Sequence, residues 1–204
     1  MKQITAMKQY REIRAEYDHE SIVVYQAYNN QIADAALSAG RFVTPFSFQR
    51  MTWIKPSFLW LMERSGWGTK SNQTRILSVR ISRSGWDEAL AEGVLTCFEP
   101  RVHHTPDNWH NILGEAPVHI QWDPERSIHG KKLEFRAIQV GISRTLIEKY
   151  VSSWIIEIRD LTATTAKIRE LRRAGEYSRA RRLLPPEKAY PVKTEVAHRL
   201  GMEH

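Results

Sequence analysis

One cysteine, Cys97, in 204 residues excludes an internal disulfide framework and any zinc site built on several thiolates, and it fits a reducing compartment. Cys97 itself reads as a small buried hydrophobe. Long apolar runs are also missing. No stretch approaches the roughly 20 apolar residues of a membrane span, and the N-terminal MKQITAMKQYREIRAEYDHE is charged and has no apolar signal core. The expectation is a cytoplasmic protein with no membrane partner. No GxxxxGKS/T is present and no GxGxxG follows a strand, which removes kinase-like and Rossmann readings. GxSxG is absent as well, so nucleophilic hydrolysis has no motif to stand on. His103, His104, Asp107 and His110 crowd a segment read as a loop (Glu99 to Glu115), but without HExxH or a Cys partner they assign no metal.

Against those absences stands one dense stretch, Pro45 to Gly68, PFSFQRMTWIKPSFLWLMERSGWG. Trp53, Trp60 and Trp67 recur every seven residues, with Arg50, Lys55 and Arg64 threaded between the rings. Flat rings alternating with cations suit a stacked, anionic ligand such as a nucleotide, the rings holding a base and the cations a phosphate. Phe46 to Lys55 is the part suited to ligand contact. Phe58, Leu59, Trp60, Leu61, Met62 and Trp67 read as the packing face of a helix that starts near Pro56.

With 42% hydrophobic residues the chain can bury one sizeable core. The expected organisation is an N-terminal arm over 1–18, one α+β domain over 19–184 and a partly ordered tail over 185–204. The net charge of +7 is uneven, because residues 163–204 hold ten Lys/Arg against five Asp/Glu, +5 of the total. Such a segment can attract nucleic acid or another polyanion, or be a solvated helix face.

In chain order, residues 5–18 read as a short polar helix or arm. SIVVYQAY (Ser21 to Tyr28) reads as a strand with Val24, Gln26 and Tyr28 on one face, followed by a helix capped by Asn29 and stopped at Gly40. RILSVRIS alternates as a strand, and Ser84 is placed to cap the next helix, with Glu88 completing a capping box. Val118 to Trp122 is a further strand, with an exposed turn expected at DPERSIHGKK. Leu133 to Ile142 is the longest strand, Ser143 opens a short helix through Tyr150, and SWIIEIRD returns as a strand with Trp154, Ile156 and Ile158 on one side. Helices follow over Thr162 to Ala174 and Tyr177 to Leu184. Strands and helices alternate without a βαβ rhythm, so the expected fold is α+β with a mixed or mostly antiparallel sheet. Gln26 and Gln139 sit in the middle of apolar strands, and a buried amide needs hydrogen-bond partners from the protein or from a ligand. His119 reads as structural.

The strings VYQAYNNQIADAAL, PFSFQRMTWIKPSFLWLMERSGWG, IQWDPERS and FRAIQVGI resemble the blocks of the family called domain of unknown function 4291, over about residues 10 to 184. The arrangement of elements is similar to the ADP-ribosyltransferase plan, which implies a split sheet holding NAD in a cleft. On that resemblance Gln26 or Tyr28 takes the first motif position, at the nicotinamide ribose or amide. Ser47, Thr52 and Trp53 take the second, and Gln139 the third, usually a Glu that stabilises an oxocarbenium-like transition state. Arg50 and Lys55 would hold phosphate. The sequence departs from the plan in that Gln26 replaces the usual His or Arg and Gln139 carries no charge, while Glu134, the acid of that strand, has opposite parity. The functional expectation is a nucleotide- or NAD-binding protein that cleaves the N-glycosidic bond and modifies an acceptor such as nucleic acid. The alternative is a noncatalytic module for single-stranded nucleic acid.

Overall fold

The computed structural model describes residues 9–202. In chain order the elements are β1 (Arg14–Ala15), β2 (Ser21–Tyr28), α1 (Asn30–Ala39), β3 (Thr52–Ile54), α2 (Phe58–Ser65), β4 (Arg75–Ser82), α3 (Arg83–Ala91), β5 (Gly93–Leu95) and α4 (Pro106–Glu115). There follow β6 (Val118–Arg126), β7 (Lys132–Ile142), α5 (Arg144–Lys149), a π-helical turn (Tyr150–Trp154), β8 (Ile155–Asp160), α6 (Thr162–Arg173), α7 (Tyr177–Arg181), β9 (Lys188–Ala189) and α8 (Thr194–Arg199). One sheet is antiparallel with order β2-β4-β8. A second has order β3-β7-β6-β5, antiparallel except for the parallel β5–β6 pair, and β1 pairs with β9. The whole is one α+β body with mixed sheets and flanking helices.

Strand β2 is buried on both faces because it separates two apolar clusters. Ile22 and Val24 join Leu77, Val79 and Ile81 in the larger one, and Val23 and Tyr25 join Phe58, Leu61 and Met62 in the smaller. Burying each of these aliphatic side chains contributes about 1.5–3 kcal/mol, which fixes the strand's register through its alternation. Helix α1 begins where Asn29 accepts the Ile32 N–H at 3.0 Å and ends at Gly40, whose φ of 66° suits a residue without Cβ. Helix α2 is capped by Ser57, which accepts from the Trp60 N–H at 3.2 Å, so Pro56 stands just outside the helix rather than in its first turn.

Several local expectations are corrected. Residues 9–18 are extended rather than helical, because Ile13 and Ala15 alternate into the core and β1 has β9 to pair with; residues 5–8 of that segment lie outside the described residues. The 185–202 segment is packed rather than partly ordered. Tyr190 and Leu200 are buried, the Tyr190 N–H bonds the Ile13 carbonyl at 2.8 Å, and the Tyr190 hydroxyl donates to Asp87 at 2.6 Å. Helix α3 is capped by Ser82 and not by Ser84, since the Ser82 hydroxyl accepts the Gly85 N–H at 3.1 Å. The His-rich loop contains α4, started by the Thr105 cap and by Pro106 at a position that needs no N–H. The strand read at Val118 to Trp122 runs on to Arg126, through the first four residues of the expected exposed turn. Trp154 belongs to the π-helical turn, and Ile156 is 57% exposed, because a bulge between Arg80 and Ile81 leaves it out of register. Cys97 is exposed, not buried. Among the described residues no helix is long and apolar enough to cross a membrane.

Gly85 shows how tightly α3 is seated. A Cβ there would stand 2.3 Å from Cγ of the buried Trp154. Gly85→Ala would gain up to about 1 kcal/mol of helix propensity, but overpacking a core costs about 1–3 kcal/mol. The expected outcome is a net destabilisation of about 1–2 kcal/mol, read as a lower urea midpoint with unchanged slope.

Candidate functional site

The two larger sheets meet at one rung. The Tyr25 N–H donates to the Lys55 carbonyl at 2.7 Å, an isolated antiparallel bridge between β2 and the residue following β3. From there β2 continues through Gln26 to Tyr28 while β3 pairs with β7 instead, and a cleft of about 890 Å³ opens between them. Gln26, Tyr28, Ser47, Arg50, Thr52, Trp53, Lys55 and Gln139, the eight residues singled out in the sequence, all line it.

Gln26 lies at the base of the cleft, 2% exposed, and its amide is satisfied within the protein. Its Oε1 accepts from the Tyr150 hydroxyl at 2.7 Å, and its Nε2 donates to the Tyr28 hydroxyl and to Thr52 Oγ1, each at 2.8 Å. Tyr28 and Thr52 are also 3.1 Å apart. Proton accounting then assigns a role. The amide supplies two hydrogens, one hydroxyl hydrogen serves the Tyr28–Thr52 bond, and the other is left to donate toward the cleft. Burial raises the Tyr28 phenol above its ordinary range, opposed in part by the bond from Thr52, and burial likewise holds the Tyr150 phenol well up. Both therefore remain neutral, and Tyr150 stays a donor to Gln26.

Lys55 is 8% exposed; its Nζ donates to the Trp53 carbonyl at 2.9 Å and lies 5.8 Å from the centroid of the Trp60 ring. Burial pushes its ammonium down to about 7, the like charge of Arg64 adds to that effect, and Asp123 opposes it. Arg50 and Arg64 are exposed cleft residues, and none of these three cations pairs with a carboxylate among the described residues. Trp53 is half-buried, with its ring against the backbone of Gly141, where a Cβ would be 3.0 Å from the ring. Ser47 is exposed and accepts from the Gln49 N–H at 3.3 Å.

Asp123 is the one acid among the cleft residues. Gln121 Nε2 donates to its Oδ1 at 3.1 Å, and Gln139 Nε2, across the β6–β7 ladder from Gln121, donates to its Oδ2. Two neutral amides thus orient one carboxylate without neutralising it. Sequence reasoning missed Asp123 by ending β6 at Trp122; Gln121 and Asp123 share parity, so one more strand residue would have put it in the cleft. Gln121 was missed with it. Arg64 was seen only as a cation between rings, and Trp60, assigned to packing, is 8% exposed yet also lines the cleft. Tyr150 gave no local signal, because its role depends on where the end of α5 lands.

The histidine cluster does something else. His103 Nδ1 accepts from the Glu99 N–H at 3.1 Å, and its ring stacks on Phe98 at 5.8 Å. His119 Nε2 meets the Leu113 carbonyl at 3.1 Å. Among the described residues no group of three or more His, Cys, Asp or Glu side chains could hold a metal ion.

Fold and cleft together define the class: an α+β protein whose two sheets part around a polar cleft carrying three cations and one oriented carboxylate. The chain belongs to the family described as Domain of unknown function (DUF4291), whose model matches residues 12–190. No protein with a curated description matches it.

The Gln26 network is open to direct measurement. Tyr150→Phe removes the donor to a buried amide oxygen and is expected to cost about 1–3 kcal/mol in chemical denaturation. Tyr28→Phe leaves Gln26 bonded to both Tyr150 and Thr52, so its cost is expected to be smaller.

Proposed function

We propose that the cleft binds NAD or a related nucleotide and that the protein is an ADP-ribosyltransferase-like enzyme, cleaving the N-glycosidic bond of NAD and passing the ADP-ribose to an acceptor such as nucleic acid. The observation that carries this reading is the charge arrangement: Arg50, Lys55 and Arg64, none in a salt bridge among the described residues, share one cleft with Asp123, a carboxylate held by two amides. Unpaired cations in a cleft suit a pyrophosphate. A fixed, hydrogen-bonded carboxylate suits a positive charge that develops during reaction. The size agrees, since nucleotide-scale ligands occupy clefts of roughly 300–1,000 Å³.

The residues divide the work as follows. Arg50, Lys55 and Arg64 bind phosphate, and Trp53 or Tyr28 offers a ring face. The spare hydroxyl hydrogen of the Tyr28–Thr52 pair donates to the ribose or the carboxamide, and Ser47 lies at the same wall. Asp123 takes the part that the neutral Gln139 cannot: its charge stabilises the ribose as the bond from C1′ to the nicotinamide nitrogen breaks and the electron pair leaves with the ring. Gln139 and Gln121 position Asp123. The acceptor's nucleophile then bonds to C1′ and releases its proton to solvent.

Incubation of the full chain with NAD and nucleic-acid or protein acceptors is expected to release nicotinamide and label the acceptor. Asp123→Asn should lower turnover about 10²-fold or more while NAD binding by calorimetry persists, and Arg50→Ala should weaken binding. Neither binding nor release with wild-type protein overturns the reading. Salt-dependent binding of single strands with no NAD consumption would favour the noncatalytic nucleic-acid module instead.

The pH dependence has a definite sign. Lys55 titrates at about 7 in the free protein, and a bound phosphate favours its charged form. Affinity for the nucleotide is therefore full below that value and falls as pH rises through and above it, by at most about tenfold per unit. Lys55→Met should flatten this profile in calorimetric titrations from pH 6 to 9.

A further inference from the structure

The turn that joins β6 to β7, closed by the Ser127 N–H on the Lys131 carbonyl at 2.9 Å, is held by arginines from separate parts of the chain. Arg172 of α6 donates from Nε to the Ile128 carbonyl, and its guanidinium stands 4.2 Å from the centre of the Trp67 ring. Arg126 of β6 donates to the Gly130 carbonyl at 3.4 Å, Arg169 of α6 to the Trp67 carbonyl at 3.1 Å, and Arg181 of α7 to Nε2 of His129 at 3.4 Å. Four guanidinium groups thus gather around one turn and the ring beside it.

Most of what holds them is neutral. A carbonyl or an imidazole nitrogen fixes a guanidinium without cancelling its charge and leaves most of its five N–H donors free. Of the nearby acids, Glu63 pairs with Arg126 at 3.2 Å, and the buried Glu125 accepts the Arg126 N–H at 2.7 Å. Glu170 and Glu176 pair instead with Lys167 and Arg179. Arg169, Arg172 and Arg181 make no salt bridge among the described residues, and exposed Arg173, Arg182, Lys131 and Lys132 spread the charge over an open face. Fixed cations without counter-charges, spread over a surface, suit a ligand whose anionic groups repeat. The exposed His129 ring lies 4.0 Å from the ring of half-buried Tyr177, centre to centre, beside these cations. Unpaired bases stack on such rings, which distinguishes a nucleic-acid strand from an anionic lipid surface. The face also adjoins the cleft, since Glu63 precedes Arg64 of the cleft wall and Lys70 donates to the Arg64 carbonyl at 2.6 Å.

We infer that the arginines around the β6–β7 turn bind the phosphodiester backbone of a single-stranded nucleic acid, with His129 and Tyr177 against its bases. The basic segment over 163–204 supplies only part of this surface; Arg126, His129 and the two lysines come from the hairpin, which the fold brings to α6 and α7. As the docking surface for a nucleic-acid acceptor the inference rests on the function proposed above, but strand binding itself needs no NAD, so the two can fail separately.

The test is fluorescence anisotropy of the full chain, without NAD, against a labelled single strand of about 20 nucleotides, longer than one binding site, and against the duplex of the same sequence. Between about 50 and 200 mM salt the affinity for the strand is expected to fall with roughly the second power of salt concentration, the response to about three phosphate contacts. The double variant Arg181→Gln, Arg182→Gln, at two exposed positions, should weaken binding about tenfold and lower that power by about one. His129→Ala, also exposed, should reduce the preference for strand over duplex. Arg144→Gln removes an exposed arginine at the opposite end of the β6–β7 ladder and should change neither. Equal affinity in wild type and the double variant, equal affinity for strand and duplex in wild type, loss of strand binding in Arg50→Ala with the double variant intact, or binding to phosphatidylserine vesicles without binding to the strand would each overturn the inference. Strand binding with no nicotinamide release supports this surface and counts against the enzyme; nicotinamide release with a protein acceptor and no strand binding overturns the surface alone.

Discussion

The hydrogen bond from the Tyr25 N–H to the Lys55 carbonyl is the constraint on which the rest of the structure depends. It pins β2 to the residue after β3 at a single rung, and each strand then finds its ladder elsewhere, β2 with β4 and β3 with β7. Two sheets joined at one point and diverging must leave a wedge between them. Backbone and side-chain polar groups facing that wedge cannot rely on a sheet neighbour, and they are satisfied by side chains instead. Gln26 does this at the base, bonded to Tyr28, Thr52 and Tyr150 from three different parts of the chain. Such a network is stable only when complete, so the same bonds that hold the sheets apart also fix the floor of the cleft.

Charge in the wedge follows from the same geometry. Lys55 is the residue whose carbonyl makes the joining rung, and its side chain is therefore drawn into a poorly hydrated position beside Trp60, where burial lowers its affinity for a proton. Asp123 approaches from β6, held by amides rather than by a cation. A cation whose charge burial disfavours and a carboxylate oriented by two amides are set within one cleft. The proposed nucleotide chemistry rests on that arrangement, because groups held by the protein's own hydrogen bonds need no reorganisation when a ligand arrives.

Much of this was legible. The strand–helix unit from Ser21 to Gly40 and the helices after Asp160 follow from alternation and capping, while the convergence of the Trp-rich segment with Gln26 and Gln139 was what the resemblance to the ADP-ribosyltransferase plan implied. Capping by Ser82 in place of Ser84 was within two residues of the expectation, the usual uncertainty of an element's end, whereas β6 runs four residues past its expected end at Trp122. Asp123 fell in that margin, and with it the acid that the site otherwise lacked. The helix over 106–115 was hidden because its polar and aromatic residues bury none of their number fully, leaving no apolar period to read. The extended course of residues 9–18 and the order of the C-terminal segment could not be read locally either, since each is ordered by the other through β1, β9 and Tyr190.

The sequence by itself determined most of the longer strands and helices and that the chain forms an α+β body, and it marked the rings and cations of Pro45 to Gly68 and two strand amides as unusual. These are properties of spacing and side-chain type, which act within a few residues. Only the tertiary structure decided that Gln26 is satisfied by Tyr150 and that Asp123 brings a carboxylate to the cleft beside Gln139. Those facts depend on the one rung that sets two sheets at an angle, and on bulges and pairings between residues many tens of positions apart, which no local pattern encodes.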